Sequence, residues 1–460
     1  MNANLKKKKF SGACLFGLGT AIIVLAVLVV LLGGKAMSPE LKAQLAAANA
    51  AYQSGKFDEA QAAYLQAQKL SPENATILEQ LGSLALWRNQ PTEAARYFEA
   101  AQQTMPWYEN FWPLNTQFNY NQAMAAYRQD HFAQAAQYFH EAAGPVAVGP
   151  FKELQALGQH AALFAGTSPY RIEGPGQSRI DFVTTDPLPV IPVAVNGGLP
   201  LNFIIDTGGA EVILDRALAQ SLGVEPVTSF TGSYAGNKGG ETGLGKIDTL
   251  QLGEFTVHEL PIYIMDLSSL GKFNGHEVKG IIGTRLLMHF LATIDYAHGA
   301  LILRRVTSEN LSTLETQAVA QGAKVIPFWL IEMHYIVAEG TFNNQPPTLF
   351  LVDTGLEGKG FTAPESDLQK AGIMVDWSKA KSGAGGGGIV QGVDIVINQL
   401  TLGTGANMVS AMQVPGIVIK GGEPVLGNQL GFHVGGLISH LFFRPYTLTL
   451  DFTNMRLYVQ

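Results

Sequence analysis

Phe203-Ile204-Ile205-Asp206-Thr207-Gly208-Gly209-Ala210-Glu211-Val212 and Phe350-Leu351-Val352-Asp353-Thr354-Gly355-Leu356-Glu357-Gly358 share one pattern: three apolar residues, then Asp-Thr-Gly. A buried strand that ends by delivering a carboxylate, a small hydroxyl residue and a glycine is unusual even once. Two copies, with similar sequence downstream, predict two lobes that bring two aspartates together. Carboxylates in contact cannot both ionise; they share a proton, so one is set up as base and the other as acid.

Working outward, the two halves can be laid over each other. Val190-Ile191-Pro192 and Val325-Ile326-Pro327 stand near their starts. After each Asp-Thr-Gly comes a short helical stretch, ending in Leu222-Gly223-Val224 or Ala371-Gly372-Ile373, and then a glycine-bearing hairpin. Each half closes on a related phrase. In the first it runs from Gly280-Ile281-Ile282-Gly283 to Thr293-Ile294-Asp295-Tyr296, in the second from Gly436-Leu437-Ile438-Ser439 to Thr449-Leu450-Asp451-Phe452. Short apolar runs between Gly, Asn and Pro turns read as β-strands, among them 191–195, 201–205, 260–265, 348–352, 393–397 and 456–459.

From about Ile191 to Gln460 this resembles the retropepsin-like branch of the aspartic proteases. The resemblance implies an all-β, two-lobed retropepsin/pepsin-like domain, with lobe 1 at 179–307, a connector at 308–322 and lobe 2 at 323–460. It implies that Asp206 and Asp353 are the catalytic pair, clamping one water. Thr207 and Thr354 match residues whose hydroxyls cross-link the two loops, and Gly208 and Gly355 match positions where a Cβ would intrude. Gly232 to Gly245 and Gly383 to Gly392 match the flaps that close over substrate, with Gly232, Gly236, Gly239, Gly240, Gly385, Gly386 and Gly387 as candidates. No cofactor or metal is implied. Three departures stand out: Gly209 and Leu356 where the family commonly has Ala or Ser, and Ser439 where it has Gly. These leave open an alternative in which the lobes bind extended peptides without cutting them. A third arrangement pairs lobe 1 with lobe 1 of another molecule.

Ahead of the lobes, residues 38–166 turn to Ala, Gln, Glu, Leu and Tyr with helical periodicity. Ala60, Tyr64, Ala67 and Pro72 correspond to Ala94, Phe98, Ala101 and Pro106 at an offset of about 34 residues, and Leu81-Gly82 falls in the first helix of its unit. Ala135, Phe139 and Ala142 mark a third unit, after the aromatic insertion Pro106-Trp107-Tyr108 to Phe111-Trp112-Pro113, and 151–165 reads as a closing helix. This resembles the tetratricopeptide repeat, which implies a surface for a protein partner or, more simply, a spacer.

Residues 1–12 are basic (Lys6 to Lys9) and 13–34 are almost wholly apolar, which predicts a membrane-crossing helix with a cytoplasmic N-terminus and the bulk of the chain exported. A cleaved signal segment is the rival reading. The one cysteine, Cys14, lies in this stretch, so no disulfide is available to the rest. A net charge of −7 gives no reason to expect nucleic acid as partner. Gly383 to Gly388 satisfies a dinucleotide-type glycine spacing but lacks the flanking strand and helix that would give it meaning, and the histidines show no metal-ligand spacing. The sequence therefore predicts a membrane-anchored aspartic endopeptidase acting on extended peptide or protein segments.

Overall fold

The computed structural model describes residues 37–107, 109–145 and 148–460. Seven helices come first: α1 (Pro39–Gln53), α2 (Phe57–Leu70), α3 (Ala75–Trp87), α4 (Pro91–Thr104), α5 (Thr116–Arg128), α6 (Phe132–Ala143) and α7 (Phe151–Ala162). They form three antiparallel pairs and a closing helix. The small residues of the repeat sit where helices touch: an added Cβ at Gly82 would collide with the Phe98 ring of the neighbouring helix. Ala60, Tyr64 and Ala67 in α2, and Ala94, Phe98 and Ala101 in α4, are all buried at the same points of the two pairs.

The first helices of the second and third pairs differ from the second helices. In α4 the buried residues make one stripe, whereas α3 and α5 are buried nearly all round. A helix apolar or enclosed on every side must be covered on every side. What covers α3 and α5 is the β-region, so the repeats and the lobes share core rather than standing apart.

The β-region consists of three sheets. Lobe 1 is a nine-stranded sheet that closes on itself through pairing of Lys238–Leu252 with Phe255–Met265. Lobe 2 is an eight-stranded sheet closed by Tyr335–Phe342 against Gly388–Thr404. A six-stranded sheet joins them, contributed by Gln177–Asp181, Phe290–Asp295 and Ala300–Arg305 from one half and Lys324–Pro327, Thr447–Asp451 and Arg456–Val459 from the other. Its central pairing, Phe290–Asp295 with Thr447–Asp451, uses the two closing phrases that match between the halves. The polar connector folds as a helix, Ser308–Ala320, and covers this sheet with Leu314 and Ala318 packed against Leu291 and Tyr458.

One expected element is withdrawn. Among the described residues no helix is long and apolar enough to cross a membrane. The longest in the repeats, α1, has 15 residues and so spans about 22 Å at 1.5 Å per residue, against about 30 Å of hydrocarbon. The stretch expected to cross, 13–34, lies outside the described residues. The fold is tetratricopeptide-like helices followed by a two-barrel all-β region.

Candidate active site

Each Asp-Thr-Gly sits where a central strand runs out. Leu201–Ile205 lies parallel to His276–Ile282, with Ile205 opposite Ile282, and Thr348–Val352 lies parallel to Val434–Ile438, with Val352 opposite Ile438. The next residue in each case is the aspartate, whose backbone N–H continues the ladder: Asp206 N donates to Ile282 O and Asp353 N to Ile438 O, both at 3.0 Å. Equivalent registers in the two lobes thus aim both carboxyl groups at the junction between them.

The threonines lock that junction. Thr207 N donates to Thr354 Oγ1 and Thr354 N to Thr207 Oγ1, each at 3.0 Å. Thr207 Oγ1 then donates to Val352 O at 2.8 Å and Thr354 Oγ1 to Ile205 O at 2.9 Å. Both threonines are fully buried, so these four bonds are unscreened and reciprocal across the lobes. Gly208 and Gly355 permit the closeness, since a Cβ on Gly208 would collide with the Asp353 carboxyl and one on Gly355 with that of Asp206.

The two carboxyl groups lie side by side at this junction, close enough for each to act on the other's charge. Burial pushes both above the usual carboxylate range, and Asp353 goes well above it because the Asp206 charge lies beside it. Gly208 N–H donates to Asp206 Oδ1 and Gly355 N–H to Asp353 Oδ1, each at 2.8 Å, while Gly209 N–H donates to the Asp206 backbone carbonyl at 3.2 Å. One amide stands on each carboxyl, so the pair shares a single proton, and the greater upward push on Asp353 places it there.

The second-lobe departures have a structural account. In lobe 1 a Cβ on Gly283 would run into the carbonyls of Gly209, Ala210 and Glu211. The loop after Asp353 is longer, so the serine side chain fits. Ser439 N donates to Gly360 O at 3.0 Å, and Ser439 Oγ accepts from Leu356 N at 3.1 Å. Serine here occupies the space the longer loop opens and satisfies a loop amide. Of the charges near the aspartates in sequence, Lys359 pairs with Asp394 at 2.6 Å, Glu357 is exposed and Glu211 is fully buried.

The two glycine-rich hairpins meet tip to tip. Lobe 1 contributes Thr228–Tyr234 and Lys238–Leu252, and lobe 2 contributes Lys381–Gly385 and Gly388–Thr404. Gly236, at φ +72°, turns the first tip, and its N–H donates to Gly422 O of lobe 2 at 2.9 Å. Tyr234 fills the space between them: side chains on Gly232, Gly240 or Gly386 would press into its ring or hydroxyl. Gly239 faces Thr231, Gly385 faces Val390 and Ala235, and Gly387 backs onto Lys238. Lys238 Nζ donates to Ile389 O across the pair.

Several residues at this site had no local signal in the sequence. Tyr296 is buried close enough for both aspartate charges to push its hydroxyl up, behind the larger effect of burial. Burial pushes the Glu423 carboxyl up to about 7, and its charge raises Asp353 further. His334 Nε2–H donates to Gly208 O at 2.8 Å from the opposite lobe. None neighbours Asp206 or Asp353 in the chain, so spacing from the triplets could not have found them. Among the described residues no group of His, Cys, Asp and Glu is placed to hold a metal ion.

This geometry defines a two-lobed protein with one aspartate pair at the lobe junction. An aspartyl protease family model matches the chain twice, over residues 191–286 and 338–433, once in each lobe, and a tetratricopeptide repeat model matches 45–106. Each lobe is thus similar to an aspartyl protease domain, and the helices ahead of them to tetratricopeptide repeats. Similar solved structures include a retropepsin-like aspartic protease from Rickettsia conorii, 19% identical, covering 30% of this chain and 97% of that one with a TM-score of 0.22. The N-terminal domain of stress-induced protein-1 from C. elegans is 21% identical, covering 26% and 98% with a TM-score of 0.23. Basic 7S globulin from soybean is 10% identical, covering 64% and 95% with a TM-score of 0.36. No curated protein sequence matches the chain at a significant level.

Proposed function

We propose that the protein is a single-chain aspartic endopeptidase that hydrolyses peptide bonds in extended segments. The observation that carries this reading is the reciprocal threonine lock, which brings the Asp206 and Asp353 carboxyls together within one molecule. Asp206, as carboxylate, takes a proton from a water held between the pair. The water oxygen bonds to the scissile carbonyl carbon while Asp353 gives its proton to the carbonyl oxygen. Breakdown of the tetrahedral intermediate breaks the carbon–nitrogen bond, and the amine leaves with a proton relayed from the pair. The hairpins over the junction favour a strand over a folded surface as substrate.

The repeats are read as a region for protein contact. Because α3 and α5 are covered by the lobes, a partner would meet the outward faces of α2, α4 and α6.

Cleavage of a diverse peptide library by the full chain, beside Asp206→Asn and Asp353→Asn, tests the reading. Cutting by the parent that disappears in both variants supports it. A folded, inert parent that still retains peptides replaces it with peptide binding.

A further inference from the structure

Neighbouring residues of repeat helix α5 reach the Asp206 loop by two routes. Tyr127 Oη donates to Glu211 Oε1 at 2.8 Å, and Tyr170 Oη, just beyond the repeats, donates to Oε2 at 2.5 Å. Glu211 belongs to the Asp206 loop and has no exposed surface. Arg285 lies behind it, with Nε 3.9 Å from Glu211 Oε1. Its Nη2 donates to Tyr127 O and Asp130 Oδ1, both at 3.1 Å, and its backbone N–H to Ala210 O at 2.9 Å. A buried carboxylate with two hydroxyl donors and a guanidinium fixes loop position, because displacing it would leave charge unpaired in the interior.

The second route starts at Arg128. Its guanidinium donates to the carbonyls of Leu86 in α3 and of Leu330 and Glu332 in lobe 2. Leu330 and Glu332 lead into the turn that carries His334, whose ring is 8% exposed and packs at 4.0 Å on Tyr335. From there Nε2–H reaches Gly208 O. That carbonyl belongs to Gly208, whose own N–H donates to Asp206 Oδ1 at 2.8 Å. A donor on that carbonyl fixes the Gly208 backbone, and with it the aim of the N–H at the aspartate. The family's usual hydroxyl is missing at Gly209, which leaves the Gly208 amide as the backbone donor on the Asp206 carboxyl.

We propose that Tyr127 and Arg128 of the repeats and His334 of lobe 2 are positioning residues for the Asp206 loop, with His334 holding the Gly208 backbone whose amide stabilises the ionised aspartate. The repeats are then part of the hydrolytic machinery. This rests on the reading of Asp206 and Asp353 as a working pair.

The test compares the full chain with His334→Phe, which keeps the ring stack and loses the donor, and His334→Gln, which supplies an N–H again. Tyr127→Phe removes one donor to Glu211, and Asp206→Asn reports the pair itself. For His334→Phe, kcat falls about two- to tenfold, the scale of one neutral hydrogen bond, with KM within about twofold. The acid limb of kcat moves to higher pH, since Asp206 loses stabilisation of its charged form, and His334→Gln recovers both. His334 itself is pushed down to about 4 by burial. If its own titration set the limb, phenylalanine and glutamine would act alike, which would overturn the proposal. The other titratable groups facing the pair are Tyr296, Tyr335 and Glu423, and these variants leave all three in place. Parental kcat and acid limb in His334→Phe overturn the proposal, as does a loss that follows melting temperature with an unmoved limb. An inert parent sinks the hydrolase reading separately. Carbon-13 carboxyl titration of Asp206 in the folded chain then decides: an upward shift in His334→Phe supports positioning, and coincident curves refute it.

Discussion

Asp206 and Asp353 share a sequence context but not an environment, and the difference has a consequence for stability. Asp353 has a folded-state pKa well above its ordinary 3.8, through burial first and the Asp206 charge second. A carboxyl raised in this way makes its full contribution to folding below its unfolded pKa, and that contribution is lost as pH rises through the folded value. Asp353→Asn abolishes this loss, so its stability relative to the parent grows between about pH 4 and about pH 7. Urea midpoints at the two pH values check this, and a gap that stays constant counts against the raised pKa. The same variant loses about 10²–10⁴-fold in cleavage rate, the contribution of a positioned acid. At this scale the six residues of the two triplets are legible in the sequence, and the approach of Tyr296, His334 and Glu423 to the pair is not. The triplets are local patterns, whereas the other three approach the pair through folding of distant segments.

At the scale of elements, the threonine lock and the hairpins make different demands. Thr354→Val keeps volume but leaves Thr207 N–H and Ile205 C=O unpaired in the interior. The expected cost is about 1–3 kcal/mol for each group, read from urea unfolding. A loss below about 0.5 kcal/mol, within the range of surface changes, would mean the lobes are held together by other means. In the hairpins, Gly386→Val presses a side chain into the Tyr234 ring. Cleavage efficiency falls while stability stays within about 1 kcal/mol, because the tip is a surface element. Equal losses of both would make the tip structural. The strand pattern was legible for most of the β-region, including Thr348–Val352 and Arg456–Val459 at their observed bounds. The hairpin strands ran longer than expected: 393–397 became Gly388–Thr404. Exposed alternate positions and glycines dilute the apolar signal in such arms, and cross-strand pairing extends them regardless.

Across the whole molecule, the repeats and lobe 2 are joined by an aromatic cluster. Phe57 and Trp87 of the repeats pack on Trp329 and Phe432 of lobe 2, with ring centroids 4.9 Å apart for Phe57 and Phe432 and 5.2 Å for Phe57 and Trp329. Arg88 lies over the Trp329 ring at 3.8 Å, and Asn89 Nδ2 donates to Phe452 O at 2.9 Å. Phe432→Ala is expected to cost about 3–5 kcal/mol, the range for emptying a buried ring site. The helical signal and tryptophan fluorescence are expected to be lost together on heating, as for one cooperative unit. A helical transition well below that of the lobes would show that the repeats fold on their own.

The sequence by itself determined the number of lobes, the aspartates that pair, the threonines and glycines that let them meet, and the helical repeat that precedes them. Each is written in short patterns whose physical meaning holds wherever the segment lies: an apolar strand before a carboxylate, a glycine where a Cβ cannot fit, small residues at a repeat's spacing. Tertiary structure alone decided that the repeats are built into the protease region, that Ser439 is housed by a longer loop, and that Tyr127, Arg128 and His334 converge on the Asp206 loop. Those outcomes depend on surfaces brought together across hundreds of residues, and a buried Glu211 or a histidine against a carbonyl leaves no periodicity in the chain to announce it.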